Sequence, residues 1–203
     1  MKRTIILLLS IACIGVSAHV SALEVGKPSP EFSGTDDSGN AVSLSDFKGS
    51  YVVLEWLNYG CPFVKKHYNS HNMQNLQKQM VDNGVVWISI VSSAKGKQGY
   101  MTPEESREAY QQHGSHATKV LLDPEGTIGR LYEAKTTPHM FLISPEGELV
   151  YQGAIDSISS TDADDIQQAI NYVRQAWEAH KNGEKVDPAS TRAYGCSVKY
   201  GRG

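Results

Sequence analysis

Cysteine is scarce in this 203-residue chain: there are three, and no two of them form a Cys-x-x-Cys pair. Basic clusters are missing as well. No lysine or arginine run exceeds a pair and the formal net charge is −3, so neither nucleic acid nor an anionic membrane surface gains support as a partner. No internal repeat or low-complexity block interrupts the chain. The glycine-flanked stretch Gly96-Lys97-Gln98-Gly99 lacks the lysine and hydroxyl of a P-loop and reads as a connection over a sheet. His67 and His71 have the i, i+4 spacing of two ligands on one helical face, but no second pair or carboxylate cluster accompanies them.

Long apolar runs are confined to the amino terminus. MKRTIILLLSIACIGVSAHVSA has two basic residues, an apolar core from Ile5 and small residues at the end. That is the layout of a signal peptide over residues 1–22, short for a membrane span, with cleavage after Ala22. A periplasmic or secreted protein with no stable membrane insertion after cleavage is the expectation. Residues 23–203 then form one domain with an irregular C-terminal tail. Cys13 leaves with the signal, so Cys61 and Cys196 remain where thiols tend to pair. They can be free thiols, a static staple closing a loop whose entropy is worth roughly 5 kcal/mol, or a reversible pair.

Val52–Leu57 (VVLEWL) is a nearly continuous apolar run, as in a strand covered on both faces. A helix from Pro62 to about Met80 follows, then a buried strand over 85–91 after the Asn83-Gly84 stop. Thr102-Pro103-Glu104-Glu105 carries a capping box and opens a helix over 103–113. A strand at 119–122, a short helix at 127–134, a hairpin of HMFLIS and ELVYQGAI, and a last helix over 162–181 complete the order. The segment before Val52 supplies an extra hairpin. This alternation specifies an α/β sandwich with a mixed sheet.

Cys61 sits where the first strand gives way to the first helix, with Pro62 at the first helical position. At that cap the unpaired N–H groups and the helix dipole favour a thiolate in contact with solvent, the reactive form of cysteine. Lys65 and Lys66 follow and read as a solvated face or as partners for a nearby anion. Glu55 is the lone acid in a buried run, so its pKa should be raised and it can move protons to or from the sulfur, through water if needed. Thr136-Thr137-Pro138 precedes the hairpin.

Buried strand, Cys-Pro at a helix start and Thr-Pro before a hairpin together resemble thioredoxin-fold proteins, and the chain is similar to the redoxin or peroxiredoxin-like (AhpC/TSA-related) group, in a subgroup with CPFVKKHY and a GCSVKY tail. The resemblance implies a thioredoxin-like three-layer sandwich with a central mixed β-sheet and an N-terminal β extension. It implies a cis bond before Pro138 beside the active cysteine, with Thr137 preceding it, and it matches Glu55 to the buried acid six residues before that cysteine. Two departures stand out. Val64 occupies the place of the second thiol, and Leu54 and Asn58 occupy those of the proline and hydroxyl that position a peroxide in peroxiredoxins.

The implied activity is that of an exported thiol redox enzyme. Cys61 is its nucleophile, Cys196 its resolving thiol, Glu55 its proton carrier, and Thr137 and Pro138 orient the substrate. A peroxide or protein disulfide is the substrate and another thiol protein the electron donor; no cofactor and no metal are required. Two alternatives belong to other classes: a metallochaperone using Cys61 with His67, His71 or His139, and a non-catalytic domain stapled by Cys61 and Cys196.

Overall fold

The computed structural model describes residues 23–202. The expected signal peptide and Cys13 lie outside them.

A five-stranded sheet forms the middle layer. Its strands are β3 (Val52–Trp56), β4 (Val86–Val91), β5 (Lys119–Leu122), β7 (His139–Ile143) and β8 (Leu149–Gly153), in the order β5-β4-β3-β7-β8. β3 runs parallel to β4 and antiparallel to β7, so the sheet is mixed. Every residue of β3 is buried. Val53 and Glu55 face one layer while Val52, Leu54 and Trp56 face the other, as the period-two pleat dictates.

Helices α1 (Pro62–Asn69), α2 (Asn72–Asp82) and α5 (Tyr172–Lys181) cover the first face, packing Val64, Tyr68, Met73, Leu76, Met80, Val173 and Trp177 against Val53 and Trp87. The opposite face is covered by α4 (Thr127–Leu131), by the hairpin of β1 (Ser33–Thr35) and β2 (Ala41–Ser43) and by the 3-10 turn Leu44–Phe47 that follows it, through Ile128, Val42 and Leu44. This is the thioredoxin-like three-layer sandwich, with its N-terminal β extension in place. Helix α3 (Pro103–Gln112) starts at the expected capping box: Thr102 Oγ1 accepts from the Glu105 N–H at 3.3 Å, and Glu105 Oε2 accepts from the Thr102 N–H at 2.7 Å.

Three sequence expectations need correction. The single helix from Pro62 to Met80 is two, because the Ser70 hydroxyl donates back to the carbonyls of Lys66 at 2.7 Å and His67 at 3.3 Å, and His71 then turns left-handed at φ 59°. The helix expected over 162–181 begins only at Tyr172. Asn171 accepts from the Arg174 N–H at 2.9 Å and caps it there, while Asp164–Gln167 form a separate 3-10 turn. The short helix at 127–134 ends at Leu131, just before Glu133 turns left-handed at φ 49°.

The tail is irregular but docked. It contributes β9 (Cys196–Ser197), which pairs antiparallel with β6 (Thr136–Thr137). Thr191, Tyr194 and Tyr200 hold it to the domain on either side of that strand. No helix among the described residues is long and apolar enough to cross a membrane.

Candidate active site

Cys61 is the N-cap of α1, with extended backbone (φ −77°, ψ 127°) and Pro62 at the first helical position. Proline suits this place because its missing N–H is one of those a helix start leaves unpaired. The turn leading in is held by Asn58, whose backbone carbonyl accepts from the Cys61 N–H at 2.9 Å and whose side-chain oxygen accepts from the Gly60 N–H at 2.9 Å.

Three of the five expected site residues meet at the sulfur. The peptide bond between Thr137 and Pro138 is cis, as the resemblance implied. The Thr137 carbonyl lies 3.1 Å from Cys61 Sγ and accepts the S–H when the thiol is protonated. From the tail, the Cys196 N–H points at Cys61 Sγ at 3.4 Å, and both cysteines are free thiols. A second thiol residue, absent from position 64, thus lies beside Cys61 from a strand 135 residues further along the chain than Cys61.

The expected contact of Cys61 with solvent is corrected. The residue is 0 % exposed, because β9 and Tyr194 lie over the start of α1, while Cys196 is only partly buried. Burial pushes the Cys61 thiol up, but the donors that face it, the Cys196 thiol, the N–H groups of Val64 and Cys196 and the Thr137 hydroxyl, outweigh it and hold the sulfur below the ordinary thiol range. The Thr137 carbonyl opposes this, yet it is one acceptor against several donors. The Thr137 hydroxyl is buried and has no hydrogen-bond partner, which leaves it free to donate to a thiolate. Cys196 moves the other way: burial, its hydrogen bond with Cys61 and the charge on that sulfur push it up to about 11.

Glu55 is fully buried on the same face of β3 as the Cys61 layer. Its Oε2 accepts from Trp87 Nε1 at 2.8 Å and from Ser89 Oγ and Gln77 Nε2, each at 3.0 Å; Oε1 accepts from the Tyr68 hydroxyl at 3.0 Å. Loss of hydration raises its pKa and the four donors temper the rise. None of those donors is Cys61 or a hydrogen-bond partner of Cys61.

The histidines fall apart as a set. The helix break separates His67, fully buried with Nδ1 on Asn72 at 2.8 Å, from His71, which is exposed. His139 Nδ1 accepts from the Lys135 N–H at 3.3 Å, and the ring borders a cavity of about 450 Å³ that neither Cys61 nor Cys196 lines. Among the described residues no three His, Cys, Asp or Glu side chains come together as a metal site.

Sequence reasoning missed a buried charge cluster beside the site. Lys66, read as part of a solvated face or as a partner for a nearby anion, is the second: it is 3 % exposed and its Nζ lies 3.6 Å from Asp156 Oδ2, itself on a buried carboxylate. Asp156 Oδ1 accepts from the Tyr194 hydroxyl, two residues before Cys196. The signal was available: Asp156 ends the apolar stretch Gly153-Ala154-Ile155 and is as isolated an acid as Glu55.

Comparison with known proteins decides the family. Residues 25–152 match the AhpC/TSA family, more than half of the chain. The chain belongs to that family. Relatives of this AhpC/TSA-family chain include the thiol-disulfide oxidoreductase ResA of Bacillus subtilis, 28 % identical over 73 % of this chain and 80 % of the relative. ResA of Geobacillus kaustophilus is 24 % identical over 72 % and 82 %. Among solved structures, an uncharacterized conserved protein from Geobacillus kaustophilus superposes with a TM-score of 0.75 at 24 % identity, covering 90 % of this chain and 95 % of its own, and shares the fold. A putative thiol:disulfide interchange protein DsbE from Chlorobium tepidum is 25 % identical, with a TM-score of 0.52 over 64 % of this chain and 85 % of that one.

Proposed function

We propose that this protein is an exported thiol–disulfide oxidoreductase whose redox couple is Cys61 with Cys196. The observation that carries the reading is the Cys196 N–H at 3.4 Å from the Cys61 sulfur at the head of α1, with both thiols free. The names of the relatives agree with thiol–disulfide exchange, and the N-terminal sequence agrees with export.

In the forward direction the Cys61 thiolate attacks one sulfur of a protein disulfide, forming a mixed disulfide and releasing the substrate's other sulfur as a thiolate. Cys196 then attacks Cys61 Sγ, and the second substrate thiolate leaves with the electron pair of the broken S–S bond. The substrate departs as a dithiol and the enzyme holds a Cys61–Cys196 disulfide, which a dithiol donor protein reduces by the same two exchanges in reverse.

The electrostatics fit this sequence of steps. While Cys61 is an anion, Cys196 is held as a thiol by the hydrogen bond and charge of its neighbour. Once Cys61 enters a mixed disulfide that charge is gone, and Cys196 becomes easier to ionise at the moment it must attack. Thr137 and Pro138 take the substrate-orienting role, on the Thr137 carbonyl 3.1 Å from the Cys61 sulfur. Glu55 takes the proton-transfer role on its raised pKa and its place in the same layer, and a water relay would have to join it to the sulfur. β9 must part from β6 for a protein disulfide to reach Cys61, and only two residue pairs join them.

Disulfides are favoured over peroxides as substrates. Asn58 stands where a peroxide-positioning hydroxyl would, and its side chain is spent on Gly60 and on the Gln98 carbonyl at 3.4 Å; Leu54 stands in the place of the proline and is buried in the core.

Thiol trapping of wild type, Cys61→Ser and Cys196→Ser during titration with a model disulfide and with hydrogen peroxide tests the reading. Wild type should cycle between dithiol and internal disulfide, and Cys196→Ser should accumulate mixed disulfide on Cys61. A wild type that never forms the internal disulfide overturns the assignment.

A further inference from the structure

We propose that Asp156, acting through Tyr194, is the positioning residue that seats Cys196 against Cys61. The inference rests on the redox pairing just proposed and names the device that sets its efficiency.

Asp156 follows β8 and is 3 % exposed. Lys66 of α1 is equally buried; its Nζ lies 3.6 Å from Asp156 Oδ2 and donates to the Ile158 carbonyl at 3.2 Å. Asp156 Oδ1 accepts from the Ile158 N–H at 3.1 Å and from the Tyr194 hydroxyl, whereas Oδ2 has no hydrogen-bond partner. His67 Nε2 stands 3.8 Å from Oδ2, beyond hydrogen-bond reach, and burial lowers the pKa of His67 to about 4, which leaves the ring neutral at physiological pH. The carboxylate is therefore paired with Lys66 rather than with His67, and this buried charge pair is tied to the tail through one phenol.

Tyr194 is well placed to convert that charge into the position of a sulfur. Its ring meets Phe63, in the first turn of α1, edge to face at 5.7 Å between centroids, so it covers the helix start. Gly195 follows at φ 135°, where a Cβ would run into the Thr137 carbonyl, and Cys196 comes next with its N–H on the Cys61 sulfur. Downstream, the Val198 N–H on the Lys135 carbonyl at 3.1 Å and the Tyr200 hydroxyl on the Ala134 carbonyl at 2.8 Å hold the other side. The upstream anchor is the one that ends on a buried charge, and hydrogen bonds to charged groups are the stronger kind.

The test is the effective concentration of Cys196 toward Cys61, measured as the ratio of internal disulfide to glutathione mixed disulfide in glutathione redox buffers. Tyr194→Phe removes the hydroxyl and keeps the ring on Phe63. It should lower the effective concentration about tenfold or more, as expected for losing a hydrogen bond to a charged group, and should speed alkylation of Cys61. Asp156→Asn added to Tyr194→Phe should lower it much less than Asp156→Asn does alone, since both act through one bond. Because Asp156→Asn leaves Lys66 without its counter-charge and can fail to fold, Tyr194→Phe alone suffices to decide. An effective concentration and an alkylation rate equal to those of wild type in Tyr194→Phe overturn the positioning role while leaving the redox pair standing. Absence of the internal disulfide in wild type itself removes the pair and this inference together.

Discussion

Gly195 lies so close to Thr137 that a Cβ built on the glycine would stand 2.1 Å from the Thr137 carbonyl oxygen. Its φ of 135° is a further bar to any side chain. The contact sits between the anchor at Tyr194 and the thiol of Cys196, so the close approach of the tail to β6 depends on the absence of one methyl group.

Gly195→Ala should therefore expel β9 and leave the sandwich standing. The expected result is alkylation of Cys61 in the reduced protein faster by about tenfold or more, with a stability loss of about 1–3 kcal/mol, the range for a strained backbone. Mass-resolved labelling with a small alkylating agent measures it. An unchanged Cys61 rate would mean that something other than β9 covers the sulfur.

The two thiols should titrate on opposite sides of the ordinary cysteine value. In reduced wild type, alkylation of Cys61 should rise with pH through a midpoint below that of a free thiol, and alkylation of Cys196 through one near 11. Cys196→Ala removes the S–H donor, so the Cys61 midpoint should move upward. Residue-resolved rates between pH 5 and pH 11 decide it, and a Cys61 midpoint that stays in place assigns the lowered pKa to the backbone donors and the Thr137 hydroxyl.

Glu55 couples stability to pH with a definite sign. Its folded pKa is raised, so between the unfolded and folded values the native state binds more protons, and stability falls as pH rises through that window. Glu55→Gln lacks this slope. With the amide oxygen at the Oε2 position, Trp87, Ser89 and Gln77 keep their acceptor and only Tyr68 must turn, a cost of about 1 kcal/mol at pH 4. That gap should close as the pH is raised, as read by urea unfolding from pH 4 to pH 8. If the proton-transfer role is right, closure of the internal disulfide should also slow in this variant, and an unchanged rate would leave Glu55 a purely structural group.

Much of this architecture was legible in the amino-acid order. The apolar run at 52–57 read as a strand buried on both faces, Cys61-Pro62 marked a helix start, and Thr102 with Glu105 marked another. Local chemistry acts over a few residues, and such signals survive in one dimension. Helix ends were less legible where two local signals compete. Ser70 can continue a helix or bond back to it, and Asn171 can sit inside a helix or cap one; packing chose the second in each case.

What the sequence determined by itself was the sandwich, the cysteine at the head of α1, and the acid in β3. Tertiary structure alone decided that Lys66 is buried on Asp156, that Tyr194 closes over Phe63, and that Cys196 returns to stand beside Cys61 and hides it from water. The reason is the range of the forces involved. Propensity and hydrophobic pattern are properties of neighbours along the chain, whereas the cover over Cys61 is built from contacts between segments far apart in sequence, which exist only after the sheet has brought β6 and the tail together.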